Sequence, residues 1–121
     1  MSTPATPDTL EVLRTRIAQF AAERDWDQFH NPKNLAMALA IEAGELMEHF
    51  QWLTADAAAA LPDSVRDEVA LEAADVLLYL LRLCDKLGID LREAAERKLV
   101  LNGQKYPADK ARGRSTKYDK L

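Results

Sequence analysis

Apolar residues recur along this chain at helical spacing. Leu10, Leu13, Ile17 and Phe20 repeat every three or four positions, which puts them on one face of a helix over about 9–24. The polar segment Asp25-Trp26-Asp27-Gln28-Phe29-His30 breaks the period, and Asn31-Pro32 then supplies an N-cap and a first-turn proline. A second helix is predicted over about 32–52. Its stretch Leu35 to Ile41 is seven consecutive apolar residues, a segment expected to be buried nearly all round. Thr54 to Ala60 reads as a short alanine-rich turn of helix ended by Leu61-Pro62. Ser64-x-x-Asp67 resembles a capping box for a third main helix over about 63–87, closed by Gly88 in the C′ position. Asp90-x-x-Glu93 caps a fourth, over about 90–102, which ends near Asn102-Gly103.

The predicted fold class is therefore all-α, a bundle of four main helices. The Pro/Thr-rich residues 1–8 are expected to be disordered, residues 9–107 to form the domain, and the charged residues 108–121 to be an extended, flexible basic tail. The third helix carries Val76-Leu77-Leu78-Tyr79-Leu80-Leu81, again apolar on every side. A chain of 121 residues has too little mass to surround two such helices, so a homo-oligomer that buries these faces is expected.

Composition narrows the class further. With 48% hydrophobic and 30% charged residues but only 4 Gly and 5 Pro, the chain is a poor candidate for disorder, collagen or an all-β sandwich. One cysteine, Cys84, excludes an internal disulfide and a Cys-based zinc site and suits a reducing cytoplasm, the expected location. The start MSTPATPDTL lacks the basic and apolar regions of a signal peptide, and no apolar run approaches the roughly 18 residues of a membrane helix, so no membrane partner is expected. Net charge is −4, unevenly spread: residues 104–121 hold six Lys/Arg against two Asp, which leaves −8 for residues 1–103. An acidic body argues against nucleic-acid binding and is compatible with metal binding.

The acidic residues that stand out are those beside the apolar runs. Glu42 and Glu45 lie three apart on the second helix, hence on one face, and Glu72 and Asp75 repeat the arrangement on the third. If the two helices pack antiparallel, the four carboxylates converge on one small volume. Held together in low dielectric they take up protons or demand a counter-charge. Four hard oxygen donors without a nearby Cys select Mg²⁺ or Mn²⁺ over zinc or copper. The competing reading, acidic residues merely solvated or paired with Lys and Arg, stays open on spacing alone. A di-iron site would need Glu-x-x-His, and positions 48 and 75 hold Glu48 and Asp75 instead.

Written out, Glu42-Ala-Gly-Glu45, 26 residues, then Glu72-Ala-Ala-Asp75 resembles the ExxE…ExxD signature of the MazG-like all-α nucleoside triphosphate pyrophosphohydrolases. The segments Arg24-Asp25-Trp26-Asp27-Gln28-Phe29-His30, Asn31-Pro32-Lys33-Asn34-Leu35, Phe50-Gln51-Trp52, Asp75-Val-Leu-Leu-Tyr79 and Asn102-Gly-Gln-Lys105-Tyr106-Pro107 resemble its dCTP pyrophosphatase-like branch, over about residues 9–107. The resemblance implies Mg²⁺-dependent hydrolysis, with Mn²⁺ able to substitute, of a nucleoside triphosphate such as dCTP or a related dNTP. The products are the monophosphate and pyrophosphate, in nucleotide-pool sanitation. It also implies a homo-oligomer, commonly a tetramer in that branch, while the periodicity decides neither dimer nor tetramer.

The resemblance further implies roles for individual residues. Glu42, Glu45, Glu72 and Asp75 would hold the cations that bridge triphosphate oxygens, and one of them could accept the proton of the attacking water. Trp26 and Trp52 would line the base pocket, although tryptophans there could instead staple loops to the bundle. His30 could contact base or phosphate or be a plain surface histidine, and Asn34 could bond the nucleotide or belong to the helix start. Tyr79, one turn beyond Asp75, could pack under the deoxyribose or into the core. Lys98, Asn102, Lys105 and Tyr106 would reach the phosphates, though cations at a helix C-terminus also complement its dipole. His49 has no counterpart in the pattern and is taken as structural. At position 17, where the branch carries a histidine near the base, this chain has Ile17, which offers no hydrogen bond, so the base range stays open. The alternative from another class is a non-catalytic helical module that binds a nucleotide or a partner protein.

Overall fold

The computed structural model describes residues 8–121, and every regular element in that range is helical: α1 Thr9–Glu23, α2 Pro32–Glu48, α3 Ala55–Ala59, α4 Asp63–Lys86, α5 Leu91–Lys105, α6 Ala108–Ala111 and a closing 3₁₀ turn Tyr118–Lys120. Among the described residues no helix is long and apolar enough to cross a membrane. The chain forms two compact units, one ending at Gly88 and the other starting at Ile89.

Local chemistry sets most of the boundaries. Side-chain oxygens at four N-caps accept from the first turn: Asp8 from the Leu10 N–H at 3.0 Å, Asn31 from Asn34 at 2.9 Å, Thr54 from Ala57 at 3.1 Å and Asp90 from Glu93 at 3.1 Å. Of the segment expected to be disordered, Asp8 thus caps α1, and residues 1–7 lie outside the described residues. Pro32 occupies the first turn of α2, where its missing N–H costs nothing. α4 departs from the expected capping box. It begins at Asp63 after Pro62, which caps without a side-chain hydrogen bond, so Ser64 sits inside the first turn and Asp63 faces the helix dipole there.

α2 ends at Glu48, four residues short of the expected limit. The following backbone tightens into turns, Phe50 N–H to the Met47 carbonyl and Leu53 N–H to the Phe50 carbonyl, both at 2.9 Å. Gly88, at φ +66°, takes the left-handed conformation that stops α4. Asp25 takes a similar conformation at φ +54° after α1, and Trp26 N–H returns to the Ala21 carbonyl at 2.9 Å.

In the first unit α4 packs against both α2 and α1. Ala21, Leu35, Leu81 and Cys84 are buried, and Leu35 is the largest side chain sealed completely. The expectation that Leu35 to Ile41 would be buried all round is corrected: Met37 and Ile41 are 55% and 60% exposed. A helix that contacts its neighbour along one stripe leaves the opposite apolar side uncovered. Val76 to Leu80 on α4 are likewise half-buried.

In the second unit α5 continues past Gly103 to Lys105, three residues beyond the expected end, and Tyr106 N–H closes it on the Asn102 carbonyl at 2.8 Å before Pro107. The stretch expected to be extended instead makes the α6 turn and the 3₁₀ turn. Tyr118 meets Tyr106 edge to face at 6.0 Å, with Lys105 Nζ 5.0 Å above its ring, and these contacts hold the segment near α5.

Leu35→Ala removes the one large side chain with no solvent contact on the α2 side of the first unit. It should lower the unfolding free energy by about 2–5 kcal/mol in urea denaturation followed by circular dichroism.

Candidate functional site

Neighbouring residues give the sense of the α2–α4 pairing. His30, Glu42 and His49 lie beside Arg82, Glu72 and Glu68 respectively, so one series rises while the other falls and the helices run antiparallel. Spacing by three puts Glu42 and Glu45 on the side of α2 that faces Glu72. One carboxylate oxygen from each of the three lies within 4.8 Å of the others. Glu42 and Glu72 are half-buried and Glu45 is exposed.

Such a cluster is electrostatically unfavourable by itself. Oε2 of Glu42 and Oε2 of Glu72 are sealed from solvent, and no donor from the protein reaches either. Burial pushes the Glu42 carboxyl up to about 7, and the neighbouring carboxyls of Glu45, Glu72 and Asp75 act in the same direction. Two orphaned buried oxygens in an all-oxygen donor set fit a hard divalent cation, which removes the repulsion and gives both oxygens a partner.

Asp75 is brought only part of the way. It is exposed and falls outside the three-residue cluster, although its charge reaches Glu42. Its side chain is one methylene shorter than that of glutamate and starts almost a turn further along α4. Asp75 instead lines a cavity of about 420 Å³ together with Leu13, Arg16, Ile17, Phe20, Trp26, His30, Leu78, Tyr79 and Arg82. That volume lies in the range of small-molecule pockets.

Two helix faces and one loop build the cavity. Leu13, Arg16, Ile17 and Phe20 are one face of α1, and Asp75, Leu78, Tyr79 and Arg82 are one face of α4. Trp26 and His30 come from the loop before α2; the indole meets Phe20 at 5.7 Å and His30 at 6.2 Å, both edge to face. The loop is tied down by charge: Asp27 accepts from Arg82 and from Lys86, the latter at 3.1 Å. Hydrogen bonding from Lys86, with the positive charges of Arg82 and Lys86, holds the Asp27 carboxyl below the ordinary range. Burial and the Arg82 charge likewise hold His30 below the usual imidazole value.

The other candidates are distributed differently. Asn34 Nδ2 donates to the Phe29 carbonyl at 3.1 Å, and its own N–H is taken by Asn31, so it is engaged at the helix start. Trp52 stands 88% exposed in the turn after α2 and does not line the cavity. His49 lies 3.9 Å from Glu68. Lys98, Asn102, Lys105 and Tyr106 belong to the second unit. There Lys98 edges a shallow α5 groove with Leu91, Ala94, Ala95, Arg97 and Leu101, Asn102 is half-buried, and Lys105 and Tyr106 contact Tyr118.

Sequence reasoning missed Arg82, Phe20, Leu78 and Arg16. The signal was present: positions 78, 79 and 82 follow Asp75 at helical spacing, and Arg82 is a cation inside an apolar run.

A family model described as MazG-like matches residues 37–121. dCTP pyrophosphatase 1 of Homo sapiens is 47% identical over 115 residues, spanning 93% of this chain and 68% of that protein; its counterpart from Mus musculus is 45% identical over the same spans. The solved structure of a pyrophosphatase from Archaeoglobus fulgidus DSM 4304 aligns with a TM-score of 0.79 at 39% identity, covering 88% of this chain and 99% of that one.

A carboxyl whose folded pKa is raised stabilises the metal-free protein fully below about 4.5, and that contribution is lost as pH rises through about 7. In EDTA, Glu42→Gln should therefore gain Tm relative to the parent chain between pH 5 and pH 8. At pH 8, MgCl₂ or MnCl₂ should raise the parent's Tm more than the variant's in differential scanning fluorimetry.

Proposed function

The chain belongs to the MazG-like family, and from that premise we propose that it is a divalent-cation-dependent pyrophosphohydrolase of deoxynucleoside triphosphates. One observation carries the reading: carboxylates from two antiparallel helices crowd within 4.8 Å, two of their oxygens are sealed without donors, and Asp75 links them to the cavity. A binding module has no need of such a costly arrangement. Relatives named dCTP pyrophosphatase 1, 68% of whose length is matched by 93% of this chain, support the substrate class.

In this reading Glu42, Glu45, Glu72 and Asp75 hold Mg²⁺, with Mn²⁺ as a substitute. The chemistry that a bound Mg²⁺ supplies there is neutralisation of phosphate charge and a more acidic water. The remaining work falls to the chain. Water adds its oxygen across the α–β phosphoanhydride, the bridging bond breaks, the monophosphate and pyrophosphate separate, and one of the four carboxylates takes the proton that the water gives up.

Trp26 offers a face for stacking the base, an interaction worth about 1–3 kcal/mol. Leu13, Ile17 and Leu78 exclude water from it, and Tyr79 stands beside Asp75 where the sugar would join base to phosphate. The exposed Met37 and Ile41 of α2 favour a homo-oligomer that covers them, with the dimer and the tetramer as the two forms to distinguish.

Incubation with each dNTP and Mg²⁺ should release pyrophosphate and the monophosphate in equal amounts, read by ion-exchange separation of products. Release of orthophosphate alone, or no turnover overnight despite nucleotide-dependent stabilisation, would overturn the reading in favour of a different hydrolase or a binding module. Glu45→Ala and Asp75→Ala should each lower kcat by at least about 10²-fold while the far-ultraviolet circular dichroism of the bundle is retained, because both side chains are exposed and neither fills the core.

A further inference from the structure

Arg82 is the one charged side chain among the described residues that is buried, at 4% exposure. Its guanidinium spreads over three partners: Nε donates to Nδ1 of His30 at 3.1 Å, Nη1 to Asp85 at 3.4 Å, and Nη2 to Asp27. Asp85 in turn accepts from Arg14 of α1 at 2.8 Å. One cation on α4 thereby ties together the loop before α2 and, through Asp85, the first helix, and it does so at the wall of the cavity.

The contact with His30 has a consequence for the ring. Arginine carries only donors and stays protonated at all accessible pH values, so a nitrogen that accepts from it must present a bare lone pair. Nδ1 of His30 is therefore unprotonated, and the proton of the neutral ring resides on Nε2. An imidazolium would set an N–H against the guanidinium. The charged groups facing the ring are Arg82, Asp27 and Lys86, and the Asp27 carboxylate is already occupied by the other two. Among the described residues nothing accepts from Nε2, while the ring lines the cavity next to Trp26.

We propose that Arg82 is a positioning residue that locks His30 as its Nε2–H tautomer, so that the cavity offers one fixed donor and takes a base that presents a carbonyl oxygen or ring nitrogen to it. This rests on the reading of the cavity as the base pocket of a dNTP pyrophosphohydrolase. The device suits a pocket in which Ile17 provides no hydrogen bond: the α1 side is apolar at that position, and the polar reading of the base falls to the ring that α4 holds in place.

Nitrogen-15 spectra of the two histidine rings in the full chain, assigned with His49→Gln, test it without reference to turnover. At pH 7 His30 should show protonated Nε2 and bare Nδ1. Arg82→Met should bring in the Nδ1–H tautomer, raise the ring's pKa, and raise KM for the preferred dNTP about tenfold, the size of one hydrogen bond, with kcat moving less than about twofold. Arg82→Lys, which keeps a donor, should restore the tautomer in part.

A wild-type ring protonated on Nδ1 or on both nitrogens at pH 7, or an unaltered tautomer in Arg82→Met, would overturn the proposal. A purely structural arginine would shift Tm and leave the tautomer alone. If Arg82→Met does not fold, the wild-type ring and Arg82→Lys decide. If no dNTP is hydrolysed, the proposed function fails while the ring spectra still decide the role of Arg82.

Discussion

Like charges that helix packing forces together set the terms for the first unit. α2 and α4 cross so that Glu42, Glu45 and Glu72 meet, with oxygens of two of them cut off from water and from any donor. Such a cluster has two ways to exist: it retains a proton near neutrality, as the raised Glu42 carboxyl does, or it takes a cation. In the proposed function both ways are accessible around pH 7, and the site would respond to a divalent ion. Had the same residues been fully solvated, the repulsion would be weak and an ion would gain little.

The cavity complements that centre in chemistry and shares α4 with it. Glu72 and Asp75 begin a face that continues through Leu78, Tyr79 and Arg82, so one helix carries the acidic end, the apolar middle and the cationic end in about three turns. A triphosphate with a flat base has the same order of demands: negative charge to be met by cations, then a ring to be stacked, then a hydrogen-bonding edge to be read. In the proposed function this shared face keeps the two ends of the substrate in register, because the residues are fixed to one rigid element. Arg82 contributes by bracing the loop that bears Trp26 and His30, through Asp27 and the histidine ring itself.

Local rules made much of this legible. Caps at Asn31 and Asp90 could be read from the chain because a capping side chain bonds a backbone group two or three residues away. Ser64 misled because the restricted geometry of Pro62 already places the cap of α4 two residues earlier. The carboxylate pairs were legible for the same local reason, a spacing of three on a helix. That Glu72 joins Glu42 and Glu45 while Asp75 turns to the cavity was not, since it depends on how two helices cross and on the length of one side chain. Met37 and Ile41 show the same boundary: their hydrophobicity is in the sequence, but what covers them is settled by neighbours.

By itself the sequence determined that this chain is helical, where its helices lie to within a few residues, and that paired acids flank its most apolar stretches. Those properties follow from interactions that span at most a turn or two of backbone. Tertiary structure alone decided that three of the four acids share one volume, that the faces of α1 and α4 enclose a cavity with Trp26, and that Arg82 meets a histidine 52 residues away. Contacts between distant segments arise from helix crossing and loop closure, and no periodicity along the chain records them.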